Sequence, residues 1–373
     1  MNLFEEQRLV DVCSYLRSGK TITASEISTH GEYPVFGGNG CRGYTAHYNF
    51  SGECAIIGRQ GAFCGNVRYF SGNAYMTEHA IIACANNKNN TRYLSYLLST
   101  MNLGRLSGQS AQPGLSVKYL SNVKVLIPIL TIQKKIVSIL SLLDDKIEVN
   151  NKLNDNLQQQ IAIIFKAWFV DFVPFDETMP SNWTVSTLGD VTEMGAGGDK
   201  PKETSQVKTP LYPYPIYSNG INNYGLYGYT NEPKIKSESV TVSARGTIGY
   251  VCLRHIPYVP IVRLVTLIPD TSVLSAKYLY FYLSQLHITG TGTTQQQLTV
   301  PDFRKTEIII PDKATMDFFT ETVTPLFEQI WVNEDENNKL AEVRDALLPK
   351  LMSGEIDVSR IGLRQLNGHL SEN

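Results

Sequence analysis

The chain repeats itself. Tyr33-Pro34-Val35-Phe36 returns as Tyr214-Pro215-Ile216-Tyr217, Asn39-Gly40 as Asn219-Gly220, and Gly43-Tyr44-Thr45 as Gly228-Tyr229-Thr230. Arg59 and Gly61 return as Arg245 and Gly246, and Tyr93-Leu94 as Tyr278-Leu279. Gln112, Leu115-Ser116-Val117 return as Gln295, Leu298-Thr299-Val300. Each copy then reaches an apolar strand closed by proline, Val125-Leu126-Ile127-Pro128 and Ile308-Ile309-Ile310-Pro311. A duplication of this length binds the fold, because whatever one half builds the other must build again. The mixture of strand-like runs and helical stretches in each copy predicts an α+β (mixed α/β) domain, made twice.

Beyond the prolines the offset between the copies locks at 183. Ile136, Leu140, Leu143, Ile147, Asn150, Asn154, Leu157, Ile161, Ile164 and Trp168 advance by alternating steps of four and three. Their counterparts are Phe319, Val323, Leu326, Ile330, Asn333, Asn337, Leu340, Arg344, Leu347 and Leu351. This is the stripe of two long helices packing along a narrow seam, rather than two helices each lying on its own domain. If they run antiparallel about a pseudo-twofold axis, partner numbers sum to 487, and Asn150 meets Asn337 while Asn154 meets Asn333. Asparagines at such positions cost stability and fix register, so these four are the expected register residues. Two positions depart from the pattern. Arg344 stands where the first copy has Ile161, so the seam should fray there or Val343 should substitute. Pro325 should either restart the second helix, with Thr324 as its cap, or kink it. The expected division is a first domain over 1–130, a spacer helix and linker over 131–178, a second domain over 179–312, a second spacer helix over 313–355, and a polar tail over 356–373, loose after Gly354.

At 373 residues the chain can bury two cores. No run of eighteen apolar residues and no signal-peptide pattern at the N-terminus are present, so no membrane partner and a cytoplasmic location are expected. The six cysteines form no C-x-x-C pair, which argues against a zinc site or a disulfide framework. The net charge of −2 argues mildly against a nucleic-acid partner, but its distribution is uneven. Residues 1–127 carry 11 Lys/Arg against 7 Asp/Glu, and residues 179–312 carry 11 against 10. The acid sits in the two helical segments, 5 against 7 over 128–178 and 6 against 11 over 313–373. Positive charge is thus kept in the two globular copies.

Motifs for chemistry are missing. There is no [Asn/Asp]-Pro-Pro-aromatic run of the kind that holds a flipped base, no correctly ordered nuclease metal motif, and no phosphate-binding G-x-x-x-x-G-K-[ST] loop. Gly38-x-Gly40-x-x-Gly43 matches a dinucleotide fingerprint, but it leads into Tyr44-Thr45-Ala46 and a further turn instead of a helix. The six histidines show no metal-ligand spacing. No catalytic residue, no metal and no cofactor are expected.

What the copies do share is polar, glycine-rich loops carrying planar side chains. Arginine suits guanine O6/N7 or phosphate and glutamine suits adenine N6/N7, so these loops are candidate DNA readers. In the first copy the candidates are Asn39, Arg42 and Tyr44, then Arg59 and Gln60, then Gln109, Ser110 and Gln112. In the second they are Asn219 and Tyr224, then Arg245 and Thr247, then Thr293, Thr294, Gln295 and Gln296. The frames of the glutamine loops agree while their sequences differ, as two readers of different half-sites would.

Four stretches carry a family resemblance. They are Gly31-Glu32-Tyr33-Pro34-Val35-Phe36-Gly37-Gly38-Asn39-Gly40, Ile127-Pro128 followed by Gln133-Lys134-Lys135-Ile136 and Leu143-Asp144-Asp145-Lys146-Ile147, then Phe165-Lys166-Ala167-Trp168-Phe169-Val170-Asp171-Phe172, and finally Arg344-Asp345-Ala346-Leu347-Leu348-Pro349-Lys350-Leu351-Met352-Ser353-Gly354-Glu355. Over essentially its full length the chain resembles the specificity subunits of Type I restriction-modification enzymes. The resemblance implies two target-recognition domains separated by an antiparallel helical spacer, a coiled coil in kind, with each domain reading half of a bipartite, asymmetric site on double-stranded DNA. It further implies that the helices bind two modification subunits that methylate adenine, and that two restriction subunits can join. The second helix departs from the pattern at its start, with Asp312-Lys313-Ala314 in place of the Gln-Lys-Lys-Ile stretch. A helix of about 36 residues runs about 54 Å, enough to hold two readers more than one DNA turn apart. Two other readings compete, a self-contained methyltransferase or nuclease and a two-headed scaffold that binds proteins. The missing motifs oppose the first. Whether Arg59, Arg245 and the glutamine loops face one positive groove discriminates the second.

Overall fold

A computed structural model describes residues 4–107, 114–290 and 297–359. The chain divides into two compact units, one of Met1–Asn150 with Asp335–Asn373 and the other of Asn151–Glu334. Each unit therefore holds one globular copy and one half of each long helix.

In the first unit, β1 (Phe4–Arg8) leads into a single helical turn, α1 (Leu9–Val12), and pairs antiparallel with β8 (Lys124–Pro128). Between them lie β2 (Cys13–Ser18), β3 (Tyr33–Gly37), β4 (Gly40–Thr45), β5 (Phe50–Gly58), β6 (Val67–Met76) and β7 (Ala80–Ala85), which form one sheet in the order β2-β7-β5-β6-β3-β4. Strand β5 is central, and Cys54, Ala55, Ile56 and Ile57 are buried on both of its faces. That double burial is why it reads as a continuous apolar run instead of an alternation. Helix α2 (Thr91–Thr100) covers one face with Tyr93, Leu94, Leu97 and Leu98, and Asn90 caps its start by accepting the Tyr93 N–H at 2.9 Å. The short α3 (Val117–Ser121) returns the chain to β8, and α4 (Leu130–Phe169) follows. Gln133 is fully buried at the start of α4, donating to Pro128 C=O and Asn89 and accepting from Asn90 N–H. It staples the helix to the cap of α2.

The second unit runs through the same order. Strand β9 (Thr184–Thr187), α5 (Leu188–Val191), β10 (Thr192–Ala196), β11 (Tyr214–Tyr217), β12 (Leu226–Thr230), β13 (Ser239–Val242), β14 (Val251–Arg254), β15 (Val259–Pro260) and β16 (Val265–Pro269) precede α6 (Ala276–Gln285) and α7 (Val300–Phe303). Strand β17 (Glu307–Ile310) then pairs antiparallel with β9, as β8 does with β1, and α8 (Lys313–Ser353) follows. The sheet here is divided into β10-β16-β13-β14 and β12-β11-β15. Ser275 caps α6 by accepting from Tyr278 N–H at 3.2 Å, the counterpart of Asn90. Where the first unit uses Gln133, this one uses Asp312, whose carboxylate accepts from Thr315 N–H, the Thr315 hydroxyl and the Trp183 indole. The departure noted in the sequence is thus a different staple at the same joint.

Each unit packs the end of one long helix against its copy. In the second unit Phe165 and Phe169 of α4 join Tyr278, Phe281 and Phe319 in an aromatic core with ring centroids 4.9–5.9 Å apart. In the first unit Leu351 and Met352 of α8 enter the core with Leu9, Leu94 and Leu140. The residues after Gly354 continue this packing: Val358 is buried and Lys135 Nζ donates to Ser359 C=O at 2.6 Å. The looseness expected after Gly354 is not found over residues 355–359, because Ile356 and Val358 supply apolar surface to the core. Residues beyond 359 lie outside the described part of the chain.

Within each unit the two helix halves meet antiparallel. In the first, Asn150 Nδ2 donates to Asn337 Oδ1 at 2.9 Å and to Glu336. In the second, Asn333 Nδ2 donates to Asn154 Oδ1 at 2.7 Å, with both residues buried, and Trp168 stacks on Phe318 and approaches Phe319. Two expectations at the seam need correction. Val343 does not replace Arg344, since it is 49% exposed. Instead Arg344 Nη1 reaches Asp144 at 3.0 Å, so an ion pair stands where fraying or a Val343 contact was expected. Nor does α8 restart at Pro325, since one helix runs through it from Lys313 to Ser353. The hydroxyls of Thr320, Thr322 and Thr324 bond the carbonyls four residues back, in the turns where proline disturbs the ladder.

Candidate nucleic-acid interface

In the first unit the glycine run is a β-hairpin. β3 and β4 pair antiparallel from Tyr33↔Thr45 to Gly37↔Gly40, so Gly38 and Asn39 are the turn and no helix follows. The dinucleotide fingerprint has no strand-turn-helix behind it. Asn39, Arg42 and Tyr44 are exposed on this hairpin, and the register shifts at Arg42, which lies between the pairs Val35↔Gly43 and Phe36↔Cys41. The turn sits against a second turn: a Cβ on Gly38 would lie 3.5 Å from Gly58 Cα and 3.6 Å from Arg59 N. That second turn carries Arg59 and Gln60, and the end of the glutamine loop reaches it. Leu115 N–H donates to Arg59 C=O at 2.8 Å, and Gln60 bridges to Gly114. Three segments far apart in sequence thus meet at one place.

The side chains there differ in freedom. Arg59 is half-buried and donates to Glu78 C=O at 3.3 Å, while Gln60 is exposed with its Oε1 3.1 Å from His79 Nδ1. Arg68, absent from the sequence-based candidates, is exposed beside the hairpin, its guanidinium carbon 3.3 Å from where a Gly40 Cβ would stand. It also lines a polar cleft with Asn66, Ser99, Thr100 and Asn102. No local pattern marks Arg68, since its equivalent in the second copy is Cys252, which pairs with Thr241 as Arg68 pairs with Ile56. Its place follows from β5, whose Ile56 pairs with Arg68 and whose Gly58 lies against Gly38 of the hairpin.

In the second unit the same three segments meet. Asn219 accepts Ala244 N–H through Oδ1 at 2.7 Å and donates to Val262 C=O at 2.6 Å, so its amide ties the loops together at both ends. Leu298 N–H donates to Ala244 C=O at 3.1 Å, and Arg245 uses Nε and Nη2 on Gln297 Oε1 at 3.1 and 2.9 Å. Arg245 and Thr247 are exposed. Tyr224 stands apart from this cluster. Its backbone is left-handed and its hydroxyl donates to Glu334 of α8 at 3.2 Å. Burial, then Glu334, pushes that phenol up to about 12. Gln109, Ser110, Gln112, Thr293, Thr294, Gln295 and Gln296 lie outside the described residues.

Arg42, Arg59, Arg68 and Arg245 pair with no carboxylate among the described residues. Burial pushes the Cys13 thiol up to about 12 and the Cys84 thiol to about 11, so these side chains are packing groups rather than nucleophiles. Among the described residues no cluster of His, Cys, Asp and Glu could hold a metal, and no helix is long and apolar enough to cross a membrane.

Comparison with known proteins meets this geometry. Residues 1–159 and 180–342 each match a family described as the Type I restriction modification DNA specificity domain. The Type I restriction enzyme MjaIX specificity subunit of Methanocaldococcus jannaschii is 29% identical over 313 residues, spanning 73% of this chain and 70% of the relative. The Type I restriction enzyme EcoprrI specificity subunit of Escherichia coli is 41% identical over 133 residues, spanning 35% of this chain and 33% of that one. A crystal structure of the Type-I restriction-modification system S subunit from M. genitalium shares the fold, with a TM-score of 0.62 at 18% identity over 94% of this chain and 96% of the other.

Proposed function

This chain belongs to the Type I restriction modification DNA specificity family, the recognition component and not the catalytic one, and from that premise we propose how its two units divide the reading. Each globular copy, over 1–130 and 179–312, is a target-recognition domain for one half of a bipartite, asymmetric site on double-stranded DNA. The long helices, over 131–178 and 313–355, are the spacer and the docking surface for two modification subunits that methylate adenine. Two restriction subunits join the same assembly where the host supplies them. The protein works in the cytoplasm, beside the host DNA, and needs no cofactor of its own.

The carrying observation is that the same three segments converge in each unit on the same backbone bond, Leu115 to Arg59 and Leu298 to Ala244, while the side chains presented there differ. One frame with diverged contents suits two unlike half-sites. Phosphate contacts fix register and base-edge contacts carry sequence, so Arg42 on the hairpin and Arg68 beside it suit the first role and the turn residues the second. The asparagine pairs, Asn150 with Asn337 and Asn154 with Asn333, suit a role in fixing the register of the helices.

The test is to co-produce the chain with its modification subunit and map N6-methyladenine across the DNA of the cell. A split motif with a fixed gap, absent when the chain is left out, is expected. A stable complex that methylates nothing would favour a protein-binding scaffold, and methylation by the chain alone would overturn the non-catalytic assignment.

A further inference from the structure

The backbone hydrogen bonds set the two turns in a frame one residue away from the one their matching letters suggest. By sequence Arg59 matches Arg245. By hydrogen bonding it does not. Leu115 N–H finds Arg59 C=O, whereas Leu298 N–H finds Ala244 C=O. One residue earlier, Gly65 N–H donates to Gly58 C=O and Gly249 N–H to Ser243 C=O, giving the same frame again. Position 59 therefore corresponds to 244, and Gln60 corresponds to Arg245. The next residues are Gly61 and Gly246, with φ of +77° and +69°, and a Cβ on either would meet nothing within 4 Å. The turn then closes on a second left-handed glycine, Gly65 or Gly249, after one residue fewer in the second copy. Gln60 and Arg245 thus stand exposed immediately before the left-handed glycine of each turn, and half-buried Arg59 is the bracket beneath Gln60.

We infer that Gln60 and Arg245 are the equivalent base-reading residues of the two halves, Gln60 taking an adenine and Arg245 a guanine. This rests on the reading of the chain as a two-armed DNA reader. The chemistry at each tip favours those bases. A glutamine amide offers one acceptor and one donor edge, matching adenine N6–H and N7. His79 lies against Gln60 Oε1, which orients the amide while a second lone pair remains on that oxygen. Arg245 spends its Nε/Nη2 side on Gln297, leaving the Nη1/Nη2 end of the fork for guanine O6 and N7. In both copies a neighbour holds the reading group from the side, so less rotamer freedom is lost on binding.

The experiment uses the full chain co-produced with its modification subunit, with N6-methyladenine mapped for the wild type and for Gln60→Arg, Arg245→Gln, Gln60→Ala and Arg245→Ala. Gln60→Arg is expected to replace an adenine by a guanine at one position of one half-site, and Arg245→Gln to do the reverse in the other half. The alanine variants should lose discrimination at that one position by roughly 5- to 150-fold, the value of one bidentate contact, with every other position unchanged. Unchanged four-base discrimination at all positions in both alanine variants would overturn the assignment. So would a uniform loss over every site from a variant that still co-purifies with the modification subunit, because that is the signature of a phosphate contact. A wild-type complex with no bipartite motif would instead overturn the reading on which the assignment rests.

Discussion

Asp144 accepts from the Tyr96 hydroxyl and from Arg344, and both bonds form inside the first unit. Burial, then the Asp144 carboxylate, holds the Tyr96 phenol far above its ordinary range, so Tyr96 stays a donor. The pair with Arg344 is only 26–29% exposed, which shields it from much of the screening that weakens surface pairs. Arg344→Ala should therefore cost about 1–3 kcal/mol in urea unfolding, and a loss below about 0.5 kcal/mol would mean the pair is solvated. A second residue-scale prediction concerns pH. Bonding by the Thr315 hydroxyl, with the Trp183 indole adding to it, holds the Asp312 carboxyl below the usual carboxylate range. A depressed folded value means the stabilisation is fully present above the unfolded pKa of about 3.9 and is lost as pH falls through the folded one. Asp312→Ala should lower stability by about 1 kcal/mol at neutral pH, and the difference from wild type should vanish in strong acid. Unfolding curves at neutral and acid pH check both parts. A difference independent of pH would sink the attribution to the carboxylate.

At the scale of the element, the long helices are where sequence and structure agree most closely. Seam positions repeat at a fixed interval, so a pattern over many turns averages out local exceptions, and both asparagine pairs could be placed by arithmetic. The exceptions escaped because they depend on neighbours outside the seam: Arg344 is answered by Asp144, which lies one place off the seam. The reading turns show the opposite case. Their segments were legible as polar loops, but matching letters aligned Arg59 with Arg245, and only the Leu115 and Leu298 bonds reveal the slip. Arg68 left no local signal at all, since strand pairing alone brings it to the hairpin. The asparagine pair in the second unit supplies the element-scale prediction. Asn154→Leu strands a buried Asn333 and should cost about 1–3 kcal/mol, whereas Asn154→Leu with Asn333→Leu should recover most of that loss. A double-mutant cycle in urea measures it. Additive losses would mean the two amides do not depend on one another.

For the whole molecule, duplication explains the economy of the design. The β1-β8 pair has its counterpart in β9-β17, the caps Asn90 and Ser275 hold equivalent helices, and each long helix ends in the core of the other copy's unit. In turns and loops a change alters what is presented without disturbing a core. Such a molecule should behave as two exchangeable readers on a common frame. The most direct measurement is to replace residues 1–127 by the corresponding domain of another specificity subunit, co-produce the hybrid with the modification subunit, and map N6-methyladenine. One half of the bipartite motif should change to that of the donor while the other half and the gap stay as they were. A change in both halves, or in neither, would contradict the division of reading between the two units.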